Sequence, residues 1–240
     1  RLAVASVTTP SLEKNASSSQ LWLFDTTRAR PRRLTACGDK DGQPAWSPRG
    51  DRIAFIARRE QEGTRDATPQ LYAIAPDGGE AQRLSGFAPG VSSFKWLPDG
   101  RRIVFTAWVW PDAKGVAAQA KRHKAFTERK ETGYATSEAY YRYWDSNLPM
   151  GRVLHLLLLD TRTGRVTDLF EGTALELTRD PALADFLIAV LDRRPGNARC
   201  QQLCHSSFEI AAFATVFAAS GEIGDLTRRH KFCRDHHQLV

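Results

Sequence analysis

Short apolar runs separated by polar turns organise the N-terminal half of the chain. Leu21-Trp22-Leu23-Phe24 lies between Gln20 and Asp25, and after a polar turn comes Arg32-Arg33-Leu34-Thr35. Next, Ala45-Trp46 and Ile53-Ala54-Phe55 flank Ser47-Pro48-Arg49-Gly50-Asp51. A Pro that presets φ and a Gly that tolerates positive φ, set between β-branched and aromatic residues, predict a β-hairpin. Each hairpin of this kind follows another, and two hairpins make a four-stranded unit. Here 20–35 is grouped with the 45–57 hairpin that follows it.

The unit recurs. Gln20–Ala57 returns without a gap as Gln70–Ala107, a shift of 50 residues, with Gln, Leu, Trp, Pro, Gly, Arg, Ile, Phe and Ala retained at 11 of 38 positions. Ordinary composition would give about two. Strand modules at that period are the mark of a β-propeller. A third copy begins at His155-Leu156-Leu157-Leu158-Leu159-Asp160, where Asp160 answers Asp25 and Leu169 answers Leu34, both at a shift of 135. Part of a fourth, Ala219–Thr227, matches Arg162–Phe170 at a shift of 57. At about 45–50 residues per blade, 240 residues supply four to five blades. The expected fold is all-β: a partial β-propeller of about four four-stranded antiparallel blades with a helical and aromatic insertion.

The chain is expected to divide into blades over 1–180, with the insertion at 111–152, and a degenerate or disturbed blade and tail over 181–240. Within the insertion, Ala117–Lys130 is rich in Ala, Lys, Arg and Glu and predicts a short exposed helix. Tyr140-Tyr141-Arg142-Tyr143-Trp144-Asp145 follows, as either a strand or a packing plug. Around 187–208 the Pro-x-Gly hairpin is out of place, through divergence of the blade or a disturbed reading frame. Asn15 is expected to end the first strand ahead of a turn at Ser17-Ser18-Ser19.

Charge changes the picture little. The net charge is +7, but Arg28-Ala29-Arg30-Pro31-Arg32-Arg33 falls at a hairpin turn and Glu128 and Glu131 interrupt the basic helix, so no nucleic-acid partner is expected. Lys121-Arg122-His123-Lys124 with Arg129-Lys130 is read as a solvated helix face before an anion patch. Cys37, Cys200, Cys204 and Cys233 make no disulfide framework. Cys200, Cys204, His205, His230, Cys233, His236 and His237 have metal-liganding types but match no zinc spacing, so neither metal nor cofactor is expected. His155, alternating with leucines, reads as a sheet residue. No run is long enough for a membrane helix. The first residue is Arg1, from which the natural start is expected upstream; the cytoplasm is favoured, with the periplasm as the alternative.

Three stretches carry a family resemblance: Thr9-Pro10-Ser11-Leu12-Glu13-Lys14-Asn15, the Trp46–Phe55 hairpin, and Arg142-Tyr143-Trp144-Asp145 followed by Gly151-Arg152 and His155-Leu156. Together with an insertion placed between blades, they resemble the β-propeller domain of prolyl-oligopeptidase-type serine peptidases, in the bacterial acylaminoacyl-peptidase and dipeptidyl-peptidase-like branch. That family implies a propeller capping an α/β-hydrolase domain that carries the whole Ser, Asp, His triad. No Gly-x-Ser-x-Gly elbow occurs here, so the expectation is a chain with no catalytic residue, inactive alone. It would gate peptide substrates and dock on the hydrolase domain of the intact enzyme, and unpaired blade edges would allow self-association. Arg142, Tyr143, Trp144 and Asp145 are the expected substrate contacts. The alternative is a stand-alone TolB-like propeller acting as an interaction scaffold.

Overall fold

The computed structural model describes residues 1–177 apart from 28–29, 37–39, 62, 132, 134, 136–141, 144–145, 148–149 and 174–175. Strands β1 (Leu2–Ser11), β2 (Ala16–Asp25) and β3 (Arg32–Arg33) form one antiparallel sheet in that order. The chain continues through β4 (Gly42–Trp46), β5 (Ile53–Ala57), a small hairpin of β6 (Glu60–Gln61) and β7 (Thr64–Arg65), then β8 (Gln70–Ala75) and β9 (Gly78–Arg83). The second sheet has the order β4-β5-β8-β9. After β10 (Ser93–Trp96) and β11 (Arg102–Val109) come helix α1 (Gly115–Glu128) and the hairpin β12 (Arg142–Tyr143) and β13 (Ser146–Asn147). Strands β14 (Val153–Asp160) and β15 (Val166–Asp168) complete a third sheet, β10-β11-β14-β15. The three sheets are the blades of a partial propeller. The fourth copy, the stretch 187–208 and the Cys200–His237 residues lie outside the described residues.

Three sequence expectations need correction. The hairpin at 42–57 pairs with the hairpin that follows it, 70–83, and not with 20–35. The repeat is therefore read half a blade out of phase, because sequence periodicity fixes the length of a repeat and not where its sheets are cut. The insertion likewise interrupts a blade and does not separate two. It joins β11 to β14, which pair over eight residues from Arg102↔Asp160 to Val109↔Val153, and a ladder of that length holds its register however long the loop it closes. Nor is Ser17–Ser19 a turn: these residues pair with Thr8–Pro10. The turn is Leu12–Asn15, closed by Asn15 N–H donating to Leu12 O at 3.2 Å, with Asn15 at φ +44°, a left-handed conformation that Asn tolerates.

Side-chain alternation explains why the blades stack. On β5, Ile53, Phe55 and Ala57 face the first sheet and pack with Leu21 and Leu23. Ala54 and Ile56 face the third and pack with Ile103 and Phe105. The middle strands are thus buried on both faces, which is why β5 reads as a continuous apolar run. Truncating Leu21 or Phe105, both fully buried, would cost roughly 2–5 kcal/mol.

Each blade has two unlike ends. At one end lie the hairpin turns. Gly50 and Gly100 take φ +71° and +62°, and each N–H donates to the carbonyl of the residue three before it, Ser47 at 2.9 Å and Leu97 at 3.0 Å. Successive turns touch: Arg32 donates to Pro76 O and Asp77 O at 2.6 and 3.1 Å, and Arg49 to Asp99 O at 3.3 Å. Positions 49 and 99 are one repeat apart, so equivalent turns stack blade on blade. At the opposite end lie the β1–β2, β5–β8 and β11–β14 connections, residues 12–15, 58–69 and 110–152, which lengthen from four to twelve to 43 residues.

Candidate functional site

The long connections make the second end chemically distinctive. Between the first two blades, Arg59 donates to Asp41 Oδ2 at 2.6 Å, and the two side chains are 12% and 1% exposed. The Arg59 guanidinium lies over the Phe55 ring at 5.0 Å and near the Tyr72 ring at 5.7 Å. The Tyr72 hydroxyl donates to Asp66, which also pairs with Arg83 at 2.9 Å. Burial, reinforced by the Asp66 carboxylate, pushes the Tyr72 phenol well above its usual range.

Between the second and third blades the network is neutral. Gln70 is buried; its amide nitrogen donates to Phe87 O at 2.8 Å and to the Thr68 hydroxyl at 2.9 Å, while its oxygen accepts from the Ser85 hydroxyl at 2.8 Å. Ser85 Oγ in turn accepts from Leu71 N–H at 2.9 Å, as Thr35 Oγ1 accepts from Leu21 N–H at the same distance one repeat earlier.

In the third blade the repeat position of Gln20 and Gln70 is held by His155. It is buried, its Nδ1 lies 2.8 Å from Asp168 Oδ2, and the Phe170 ring stands edge-on to it at 5.6 Å. Phe170 occupies the position of Thr35 and Ser85. With the hydroxyl gone, the polar partner has moved two residues back, to the neighbouring position on the same side of the strand. His155 is the sheet residue expected from its leucine neighbours. Its partner was missed, although aligning all three copies points to it: a buried Gln replaced by His needs a new acceptor.

Helix α1 roofs this end of the third blade. The helix predicted at 117–130 is present two residues earlier, and its buried residue is polar. Gln119 clasps the backbone of Trp110, accepting from its N–H at 3.1 Å and donating to its carbonyl at 2.8 Å. Glu171 accepts from Gly115 N–H at 2.5 Å, which supplies a carboxylate to the helix N-terminus where no side-chain cap does. Between α1, Phe87, Leu157 and β15 lies a cavity of about 170 Å³, with Arg165, Asp168 and Glu171 at its polar wall.

The expected contact residues Arg142 and Tyr143 are placed only as backbone, on β12, paired with Asn147 and Ser146. Trp144 and Asp145 lie outside the described residues. Arg32, from the basic run at the turn, serves as a blade-to-blade staple. Among the described residues, no group of His, Cys, Asp and Glu side chains could hold a metal ion, and no helix is long and apolar enough to cross a membrane.

No family model matches the chain. It is 27% identical over 157 residues to an uncharacterized peptidase of Bacillus subtilis, YuxL, covering 65% of this chain and 22% of that protein. It is 27% identical over 198 residues to dipeptidyl-peptidase 5 of Porphyromonas endodontalis, covering 81% of this chain and 27% of that protein. The chain thus spans about a quarter of the length of these relatives. The acylaminoacyl peptidase of Pyrococcus horikoshii superposes with a TM-score of 0.50 at 16% identity, over 69% of this chain and 22% of that one, a likeness of fold. Peptidase relatives, stacked antiparallel blades and the Trp–Pro–Gly repeat agree: the chain matches the β-propeller domain of a prolyl-oligopeptidase-type peptidase.

Proposed function

We propose that this chain is a non-catalytic part of a propeller that restricts which peptides reach a hydrolase domain. The blade end carrying the long connections, and the insertion in particular, would meet the peptide. The observation that supports this most directly is the asymmetry between the ends. One is closed by tight turns that repeat from blade to blade; at the other, each blade departs from its neighbours in connection length and polar chemistry. Sites are grafted where the scaffold tolerates variation. The sequence relatives are named as peptidases, and a structural neighbour was solved with the peptide-like inhibitor Z-Gly-Gly-Phe-chloromethyl ketone. Arg142, Tyr143, Trp144 and Asp145, on and beside the insertion's hairpin, are the proposed peptide contacts.

The test uses the enzyme encoded by the whole locus. Arg142→Ala and Trp144→Ala are assayed on a panel of peptides of graded length and charge. The expected result is a change of about tenfold or more in relative kcat/KM between panel members, roughly 1.4 kcal/mol of discrimination. A uniform change, or none, across the panel overturns the contact assignment. Absence of a Gly-x-Ser-x-Gly elbow downstream in the coding sequence overturns the peptidase reading and leaves an interaction scaffold.

A further inference from the structure

We propose that His123 is an acid-released latch: its neutral imidazole holds the C-terminal half of α1, and with it the neck of the insertion, on the third blade, and protonation lets them go. The ring packs against that of the buried Trp110, just past the end of β11, with 6.3 Å between centres. Phe126, about one turn further along the helix, meets the same Trp110 edge to face at 5.4 Å. Within this contact His123 Nδ1 is buried and has no hydrogen-bond partner among the described residues.

A neutral ring tolerates that position and a charged one does not. With the proton on Nε2, Nδ1 presents only a lone pair. Protonation converts it into a charged N–H donor, buried with no acceptor, which is far more costly. The groups packed around it do not compensate. From the start of β14, Arg152 sets its guanidinium 5.8 Å from the Trp110 ring centre and 4.9 Å from that of Phe126. At the end of the helix Arg129 lies 4.2 Å from the Phe126 ring centre and donates to Met150 Sδ at 3.4 Å. The carboxylates nearby in sequence are paired on the solvated side, Asp112 with Arg122 at 3.7 Å and Glu128 with Lys124 at 3.8 Å.

The ionisation of His123 follows from this setting. Burial, and then the positive charge of Arg152, lower it from an ordinary 6.5. A base whose folded value is depressed favours the docked state fully above its unfolded value, and that contribution is lost as pH falls below 6.5 and through the lowered folded value. The N-terminal half of α1 is held separately, by the Gln119 amide on the Trp110 backbone and by Gly115 N–H on Glu171. Release is therefore local, from His123 toward Glu128 and the chain beyond.

Amide hydrogen exchange of the full chain tests the latch, compared at pH 7.5 and pH 5 as protection factors so that the intrinsic pH dependence of exchange drops out. Protection of Lys124–Glu128 is expected to fall about tenfold or more at pH 5, while that of Ala117–Gln119 holds. His123→Phe keeps an aromatic ring on Trp110 and cannot be protonated, so its protection should be the same at both pH values. The wild-type His123 imidazole, followed by NMR, should titrate below 6.5, a readout that does not depend on the variant folding. No loss in the wild type, an equal loss in His123→Phe, or titration at or above 6.5 overturns the latch. That release alters which peptides are admitted rests on the proposed function and is read separately in the intact enzyme. The ratio of kcat/KM between blocked peptides without ionisable side chains should change between pH 7.5 and pH 5 in the wild type and not in His123→Phe. If exchange shows the release and this ratio stays flat, the latch stands and the reading of the insertion as a peptide contact falls.

Discussion

The two ends of the blades solve the same stacking problem with different chemistry. At the turn end the solution repeats. Arg32 and Arg49 reach the carbonyls of the next blade's turn, and a carboxylate ties each turn to its own backbone or side chains, with Asp51 on Ser47 Oγ at 2.6 Å and Asp99 accepting from Arg101 and Arg102 N–H at 2.9 Å. These contacts are mostly solvent-exposed and individually weak. At the connection end the buried polar networks differ from one to the next: ionic at Asp41–Arg59, amide and hydroxyl at Gln70, imidazole and carboxylate at His155 within the third blade. Repetition is cheap where backbone geometry dictates the residue. Burial lets the other end diversify only by changing whole networks together.

The comparison predicts that single substitutions at the connection end are the costly ones. Asp41→Ala leaves Arg59 buried without its carboxylate, and we expect a loss of about 3–5 kcal/mol in urea denaturation. Arg49→Ala at the turn end should change stability by less than about 1 kcal/mol. Equal effects from the two would erase the distinction. Glycines give the next largest contrast. Gly90, in the crossover between the second and third blades, takes φ +89°, and a Cβ there would fall 2.9 Å from Thr68 Cβ and 3.2 Å from Pro69 O. Gly50 has the same backbone constraint with open space around it. We expect Gly90→Ala to cost roughly 2–3 kcal/mol and Gly50→Ala about 1–2, since both pay for the left-handed backbone and only the first adds a clash with backbone.

Legibility in the sequence follows the same division. The turn end could be read directly, since Pro48 and Pro98 preset the turn and Gly50 and Gly100 take the positive φ that glycine favours, and the repeat they mark leads to the fold. The partners of the buried networks could not, because Asp41, Asp66 and Asp168 sit in stretches where the copies differ, and pairings there are made between strands and not along the chain. The cut between blades was misplaced for a related reason: a repeat that begins mid-sheet looks the same as one that begins at its edge. Within the insertion the helix declared itself by composition. Its inward side did not, since His123 and Phe126 turn toward Trp110, just past the end of β11, a contact that the composition of the helix does not mark.

The smallest predicted effect tests whether turn-end carboxylates matter at all. Asp160 accepts from Arg101 at 2.6 and 3.0 Å, and that bond holds its carboxyl down to about 2 from an ordinary 3.8. A carboxylate whose folded value is depressed stabilises the fold fully above its unfolded value, and that contribution is lost as pH falls from near 4 toward 2. The pair is exposed and screened, so the effect is a shift of slope, not a collapse. Urea midpoints of the wild-type chain and Asp160→Asn, followed from pH 6 to pH 2, should differ slightly above pH 5 and converge below pH 3, with the difference reduced in 0.5 M salt. Coincident midpoints of the two chains from pH 6 to pH 2 would show that the side chain acts through the bonds an amide oxygen keeps, to Arg162 and Thr163 N–H, 2.9 and 3.2 Å away, and the turn end would then owe its stability to backbone geometry alone.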